Sequence, residues 1–334
     1  MKGATLKDVA RAAQVSIASA SRVMNGLNNV TAEVRARVLE AASQLHYVPH
    51  WGARSLAINR TNTIGLLLPD IYGEFFSEII RGVDVAARAK GFHLLVAGSH
   101  GDLGETVATM RAMSGLVDGL LVMAPSVDSQ DLATVLPYHL PLVTIASHIG
   151  TSNHHAIGID NYHGGDVAVR HLKAIGCRDV AHISGPLNNF EAQERRRGFE
   201  AAMGDIYPGS PLRSREGAFT EDSGYDCTRA YLAEDNRPDG LFVANDMMAV
   251  GALLALKEAG LSVPGDVAII GFDDIPITRF TSPPLSTLRV GVYELGRRGM
   301  DMLIAALESG DDVLPRQEVI IAPELVVRDS SRRQ

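Results

Sequence analysis

The 334-residue sequence predicts an α/β protein: an all-α head followed by two lobes, each a doubly wound parallel sheet. Three observations predict it. Short helical periods with capping residues fill the first 48 positions. From Thr63 onward, strand-length apolar runs alternate with helix-length amphipathic stretches. After Asp160 that alternation starts afresh, which implies two similar lobes in a chain too long for one hydrophobic core.

In the head, Thr5 is placed to cap a first helix with Leu6, Val9, Ala10 and Ala13 at helical spacing. Gln14 and Val15 make a tight turn. A second helix runs from about Ser16 to Met24 and stops at Asn25-Gly26. A third follows the cap candidate Thr31, turns Val34, Val38, Ala41, Ala42 and Leu45 inward, and ends before Pro49. Three short helices with a tight turn between the first two form a helix-turn-helix pattern. The expected strands of the first lobe are TIGLLL at 63–68, HLLVAG at 93–98, GLLVMA at 119–124, LVTIA at 142–146 and AIGI at 156–159. Those of the second are DVAHIS at 179–184, GLFVAND at 240–246, VAIIGFDD at 267–274 and STLRV at 286–290. Near-continuous apolar strands joined by helical crossovers are buried on both faces, as parallel strands are.

Charge divides the chain. Residues 1–60 carry eight Lys and Arg against three acids, a net of +5, and the remainder carries −13. A basic head on an acidic body suits a head that meets a polyanion. No apolar run is long enough for a membrane span, the N-terminal run does not read as a secretory leader, and Cys177 and Cys227 fit a reduced cytoplasm as two small core residues. The phosphate-cradling GxxxxGK[ST], HExxH, GxSxG and CxxC patterns do not occur. Gly98, Gly101 and Gly104 read as a turn, and His148, His154 and His155 as a surface loop, so neither a cofactor nor a metal is expected. The strand ends carry Asp70, Asp160, Asn245, Asp246, Asp273 and Asp274, where such sheets place ligand groups and where Asp equally serves as a helix cap.

The ordered residues TLKDVA from Thr5, VS at Val15-Ser16, SRVMN from Ser21, LHYVP from Leu45 and ARSLA from Ala53 resemble the LacI/GalR family of bacterial transcription regulators. So do TIGLLLPD, FFSEIIRG, the DNYHGG at Asp160, VANDMMAVGA, IGFDD and PPLSTL, in order along nearly the whole chain. The resemblance implies a helix-turn-helix head over 1–48 and a hinge helix and linker over 49–60. It implies a two-lobed core of periplasmic-binding-protein-like type over 61–334, with a first lobe of about 61–160 plus 291–320 and a second of about 161–290 plus 321–330. It further implies a homodimer on pseudo-palindromic double-stranded operator DNA. With no leucine heptad after Arg328, no coiled-coil tail is expected.

On this resemblance the second helix lies in the major groove. Ile17 and Ala18 read bases at its outer start, Arg22 pairs with a guanine, and Thr5, Ser16, Ser19, Ser21 and Asn25 meet phosphates and base edges. Ser19-Ala20 stands where Thr-Val is common in the family. Leu56, with Ala53 beside it, is the expected minor-groove wedge of the hinge. His50 replaces the usual asparagine, and Trp51 is bulky. The effector residues implied are Arg195, with Arg196 and Arg197 as neighbouring alternatives, then Asn245, Asp273 and an assisting Asp246. Phe219 is the stacking aromatic, and Asp70, Phe75, Phe76 and Asp160 belong to the cleft. Ala146-Ser147 replaces the Asp-Arg of many sugar-responsive members, leaving His148 as a substitute contact.

An arginine, several carboxylates or amides and an aromatic face suit a sugar, which is preferred, with a purine-type corepressor as the alternative. The expected function is therefore a transcriptional repressor under allosteric control by a small ligand, and not an enzyme. The rivals are a secreted sugar-binding protein, which would lack the basic head, and an enzyme on the same kind of fold.

Overall fold

The structure is a computed structural model and describes residues 4–24, 29–47, 60–137, 140–147, 154–309 and 315–333. The chain forms two compact units, residues 1–61 and 62–334.

The first unit contains α1 (Leu6–Ala12), α2 (Ile17–Met24) and α3 (Ala32–Gln44). Thr5 starts α1, and the Asp8 carboxylate accepts both its backbone N–H at 3.0 Å and its hydroxyl at 2.6 Å. Gln14, at φ 52°, makes the left-handed turn between α1 and α2. Ser16 then caps α2, its oxygen accepting the Ser19 N–H at 3.0 Å. Val9, Ala10, Ala13, Ala20, Val23, Val38, Ala41 and Ala42 form the core, with Val34 packed against it. Leu45 corrects the expectation: it is the C-cap of α3 and 36% exposed, because the helical period has ended before it. The stop at Asn25-Gly26 and the hinge residues Ala53 and Leu56 lie outside the described residues.

The second unit begins with β1 (Thr63–Leu68), α4 (Glu74–Ala89), β2 (His93–Gly98), α5 (Leu103–Ser114), β3 (Gly119–Val122), α6 (Ser129–Val135), β4 (Leu142–Ile145) and β5 (His155–Ile159). It continues with α7 (Asn161–Ala174), β6 (Val180–Ser184), α8 (Phe190–Ile206), β7 (Ser214–Glu216), α9 (Glu221–Leu232), β8 (Gly240–Val243), α10 (Asp246–Glu258), β9 (Ala268–Asp273) and β10 (Ser286–Arg289). Last come α11 (Val292–Ser309), β11 (Glu318–Ile321) and β12 (Glu324–Val326). Two six-stranded sheets result, ordered β11-β5-β4-β3-β1-β2 and β12-β10-β9-β8-β6-β7. Among the described residues every strand pairing is parallel except β10 with β12. The chain passes between the two sheets after β5, after β10 and between β11 and β12.

Three edge strands, β7, β11 and β12, were not expected. Ser-Arg-Glu of β7 is too short and polar to show a period, and β11 and β12 are half-exposed at their sheets' edges. Three helix pairs meet backbone to backbone. A Cβ on Gly82 would lie 2.1 Å from Tyr293 O, one on Gly198 2.0 Å from Tyr162 O, and one on Gly251 1.9 Å from Glu221 O. Only a residue without a Cβ allows α4 on α11, α7 on α8 and α9 on α10 to approach so closely.

Candidate functional site

The strands end in loops, and the helices that follow present N-terminal turns to the space between the lobes. That space is a cavity of about 290 Å³ lined by residues from both lobes. The first lobe contributes Asp70, Tyr72, Phe75, Phe76, His100 and Ala146, among others, and the second Asn189, Glu191, Arg195, Phe219, Asn245 and Asp273. Phe75 and Phe76 sit edge to face, their ring centroids 5.4 Å apart.

Backbone strain is concentrated here. His100, Ala146, Phe219 and Asp273 all line the cavity and have φ of 48°, 44°, 61° and 110°. Side chains with a Cβ rarely adopt such angles, and they persist where the surroundings over-determine them. Phe219 is held by Asn245, whose amide nitrogen donates to the Phe219 carbonyl at 3.1 Å while its oxygen caps α10. Gly185 has no Cβ to meet the Phe219 ring, which would lie 2.2 Å away.

Arg195 projects from α8 and is 4% exposed. Its Nε donates to Asn161 Oδ1 and one terminal nitrogen to Ala244 O, both at 2.6 Å. The other lies 3.7 Å from Asp273 Oδ1, and the guanidinium stacks 3.8 Å from the Phe272 ring centroid. Arg196 and Arg197 pair with Glu200 and Glu194 along α8 itself, which leaves Arg195 as the arginine at the cavity. Asn161 also donates to Glu191 Oε2 at 2.6 Å. Burial pushes both the Glu191 and Asp273 carboxyls up, Asp273 to about 7, with Arg195 opposing in each case. Asp273 Oδ1 is buried with no hydrogen-bond partner among the described residues.

Two expected effector residues are not in the cavity wall. Asp160 caps α7, accepting the His163 N–H at 3.0 Å. Asp246 is fully buried behind the wall, its oxygens taken by Thr287 Oγ1 at 2.7 Å and Ile275 N at 3.0 Å. Both oxygens of Asp246 are therefore already used by the fold, and Asp160 serves its helix cap. Asp70 does line the cavity while accepting from Ile71 N and Tyr72 N. His148 lies outside the described residues, and neighbouring Ser147 supports the loop, accepting Ala124 N at 2.7 Å. Sequence reasoning missed Tyr72, His100, Asn189 and Glu191. The first turn of α8, where Asn189 caps and Glu191 follows, is the one signal that marks two of them.

In the head, α2 buries Ala20 and Val23 and exposes Ile17, Ala18 and Arg22, with Ser16 and Thr5 exposed and Ser19 and Ser21 half-buried. Among the described residues there is no group of His, Cys, Asp and Glu fit to hold a metal, and no helix long and apolar enough to cross a membrane.

Residues 5–50 match the family described as bacterial regulatory proteins, lacI family, and residues 169–331 match a periplasmic binding protein-like domain. The HTH-type transcriptional repressor PurR of Haemophilus influenzae (strain PittEE) is 34% identical over 98% of this chain and 98% of its own. PurR of Edwardsiella ictaluri (strain 93-146) is 36% identical over 98% and 96%. The crystal structure of the lac repressor dimer bound to operator and the anti-inducer ONPF superposes with a TM-score of 0.86, at 28% identity over 99% of each chain.

Proposed function

Because the chain belongs to the LacI/GalR family of bacterial regulatory proteins, we propose that it is a transcriptional repressor that binds a pseudo-palindromic operator as a homodimer, under the control of a small ligand held between its core lobes. The cavity carries this reading. It joins a stacking face, Phe219, to the convergent polar groups of Arg195, Asn245 and Asp273, the composition of a small-molecule site. The DNA contact falls to the exposed face of α2, with Arg22 reading a guanine and Ile17 and Ala18 against base edges. Leu56 and Ala53 complete it as the hinge wedge.

Of the two ligand classes, the purine type has the better support, since the relatives named PurR match this chain almost end to end. The sugar preference rests on residue types alone. Ligand occupancy biases the closure of the lobes, and ordering of the hinge passes that bias to the DNA. Both corepression and induction use these same parts, so the sign comes from experiment.

The test is a gel shift with the full-length protein and the DNA upstream of its own gene, with and without guanine, hypoxanthine, glucose or cellobiose. A salt-sensitive, sequence-specific shift that one of these compounds alters is expected. A protein that ignores duplex DNA at low ionic strength, in every ligand condition, overturns the proposal.

A further inference from the structure

We propose that Glu191 and Asp273 make the cavity selective for uncharged or cationic ligands that present at least two hydrogen-bond donors, and that they exclude phosphorylated and carboxylated analogues. This rests on the cleft being the effector site and goes on to specify what enters it.

Among the described cavity-lining residues, Asp70, Glu191 and Asp273 stand against Arg195 as the only Lys or Arg. Two of the five N–H groups of Arg195 are used by Asn161 and Ala244, Asp273 faces the third nitrogen at 3.7 Å, and the Phe272 ring covers its plane. Its single positive charge is outnumbered by the carboxylates already there. The carboxylates have acceptor capacity to spare. Glu191 is 6% exposed and Asp273 4%, so each has lost most of its hydration. Glu191 Oε2 accepts from Asn161, and no hydrogen bond to its Oε1 occurs among the described residues. Asp273 Oδ1 has no hydrogen-bond donor and sits at 3.7 Å from the guanidinium.

A buried carboxylate without donors is destabilised, and a ligand N–H or O–H placed on it relieves that cost. A ligand phosphate or carboxylate would instead add a like charge where water cannot screen it. The elevated proton affinity of both groups has the same origin. Glu191 also acts at one remove: through Asn161 it fixes the Nε end of Arg195, so the donor-seeking carboxylates and the guanidinium are one network.

The experiment is calorimetric titration and thermal shift of the full-length protein at pH 7 with matched compounds: guanine against guanosine 5′-monophosphate, and glucose and glucosamine against glucose 6-phosphate and gluconate. An uncharged or cationic member is expected to bind and its anionic counterpart to fail. Glu191→Gln keeps the volume and the Asn161 bond. It is expected to weaken the bound compound by about 10- to 100-fold, the worth of a hydrogen bond to a charged group, and to narrow the gap to the anion. Asp273→Asn provides the same comparison if Glu191→Gln folds poorly. An anionic member that binds as well as its partner, or a Glu191→Gln protein with unchanged preference, overturns this inference and leaves the cleft as the effector site. If no compound in the panel binds wild type and the gel shift responds to none of them, the ligand-control reading falls, and this one with it.

Discussion

Replacing Gly198 by alanine tests the backbone contact that builds the ligand wall. Gly198 lies on α8 against α7, and a Cβ there would sit 2.0 Å from the carbonyl oxygen of Tyr162. The obstacle is helix backbone, so no side-chain rotation relieves it. Restoring ordinary contact at 3.4 Å requires the helices to part by about 1.4 Å locally. The same shift would stretch the 2.6 Å bond from Arg195 Nε to Asn161 Oδ1 beyond hydrogen-bond range. Overpacking costs about 1–3 kcal/mol, and loss of a hydrogen bond to a charged group about 1.5–3 kcal/mol. The gain in helix propensity returns only about 1 kcal/mol. A net loss of about 1.5–5 kcal/mol follows, a fall in Tm of roughly 3–10 °C for a unit of this size. Gly204, exposed on the same helix with nothing within 4 Å of its would-be Cβ, is the control. Gly204→Ala should raise Tm by about 2 °C from propensity alone. Scanning calorimetry of the two variants beside wild type decides the matter. If Gly198→Ala melts at or above wild type, close packing is not what requires that glycine.

Arg22→Ala should weaken operator binding by about 1–3 kcal/mol while leaving non-specific DNA binding nearly unchanged. Fluorescence anisotropy with operator and random duplexes separates the two, and equal losses on both would reduce Arg22 to a phosphate contact. Phe219→Ala should weaken whichever ligand binds by at least about 0.5–1.5 kcal/mol through the lost ring face, as read by calorimetry; an unchanged affinity would remove Phe219 from the site. Asp273 gives the ligand-free protein a pH dependence of known sign. Because burial raises its pKa from 3.8 to about 7, its contribution to stability is fully present below 3.8 and is lost as pH rises through 7. Asp273→Asn should therefore lose less melting temperature between pH 4 and pH 8 than wild type, and parallel curves would contradict the assignment. The Cys177 thiol is 1% exposed and pushed up to about 11 by burial, so iodoacetamide at pH 8 should leave it unlabelled in the native protein; peptide mass spectrometry showing native Cys177 labelled would refute that.

The sequence by itself determined the local elements. The apolar runs at Thr63–Leu68 and His93–Gly98 are strands to the residue, and Thr31 caps α3 as its position suggests. Such features depend on neighbours a few positions away, so period and capping chemistry report them. The motifs also carried the family and the general place of the ligand. The tertiary structure alone decided which polar residues are free to act. Asp160 and Asp246 resemble Asp273 in the sequence, each at a strand end, yet the fold spends the first on a helix cap and the second on Thr287 and Ile275. Glu191 is one charged residue among several near Arg195 in the sequence; α7 brings Asn161 to it and burial removes its water. The left-handed φ of Phe219 was equally hidden, since a bulky aromatic residue rarely adopts it. Burial, strain and partner choice arise from groups far apart in the chain, and only the packed lobes fix which of those groups meet.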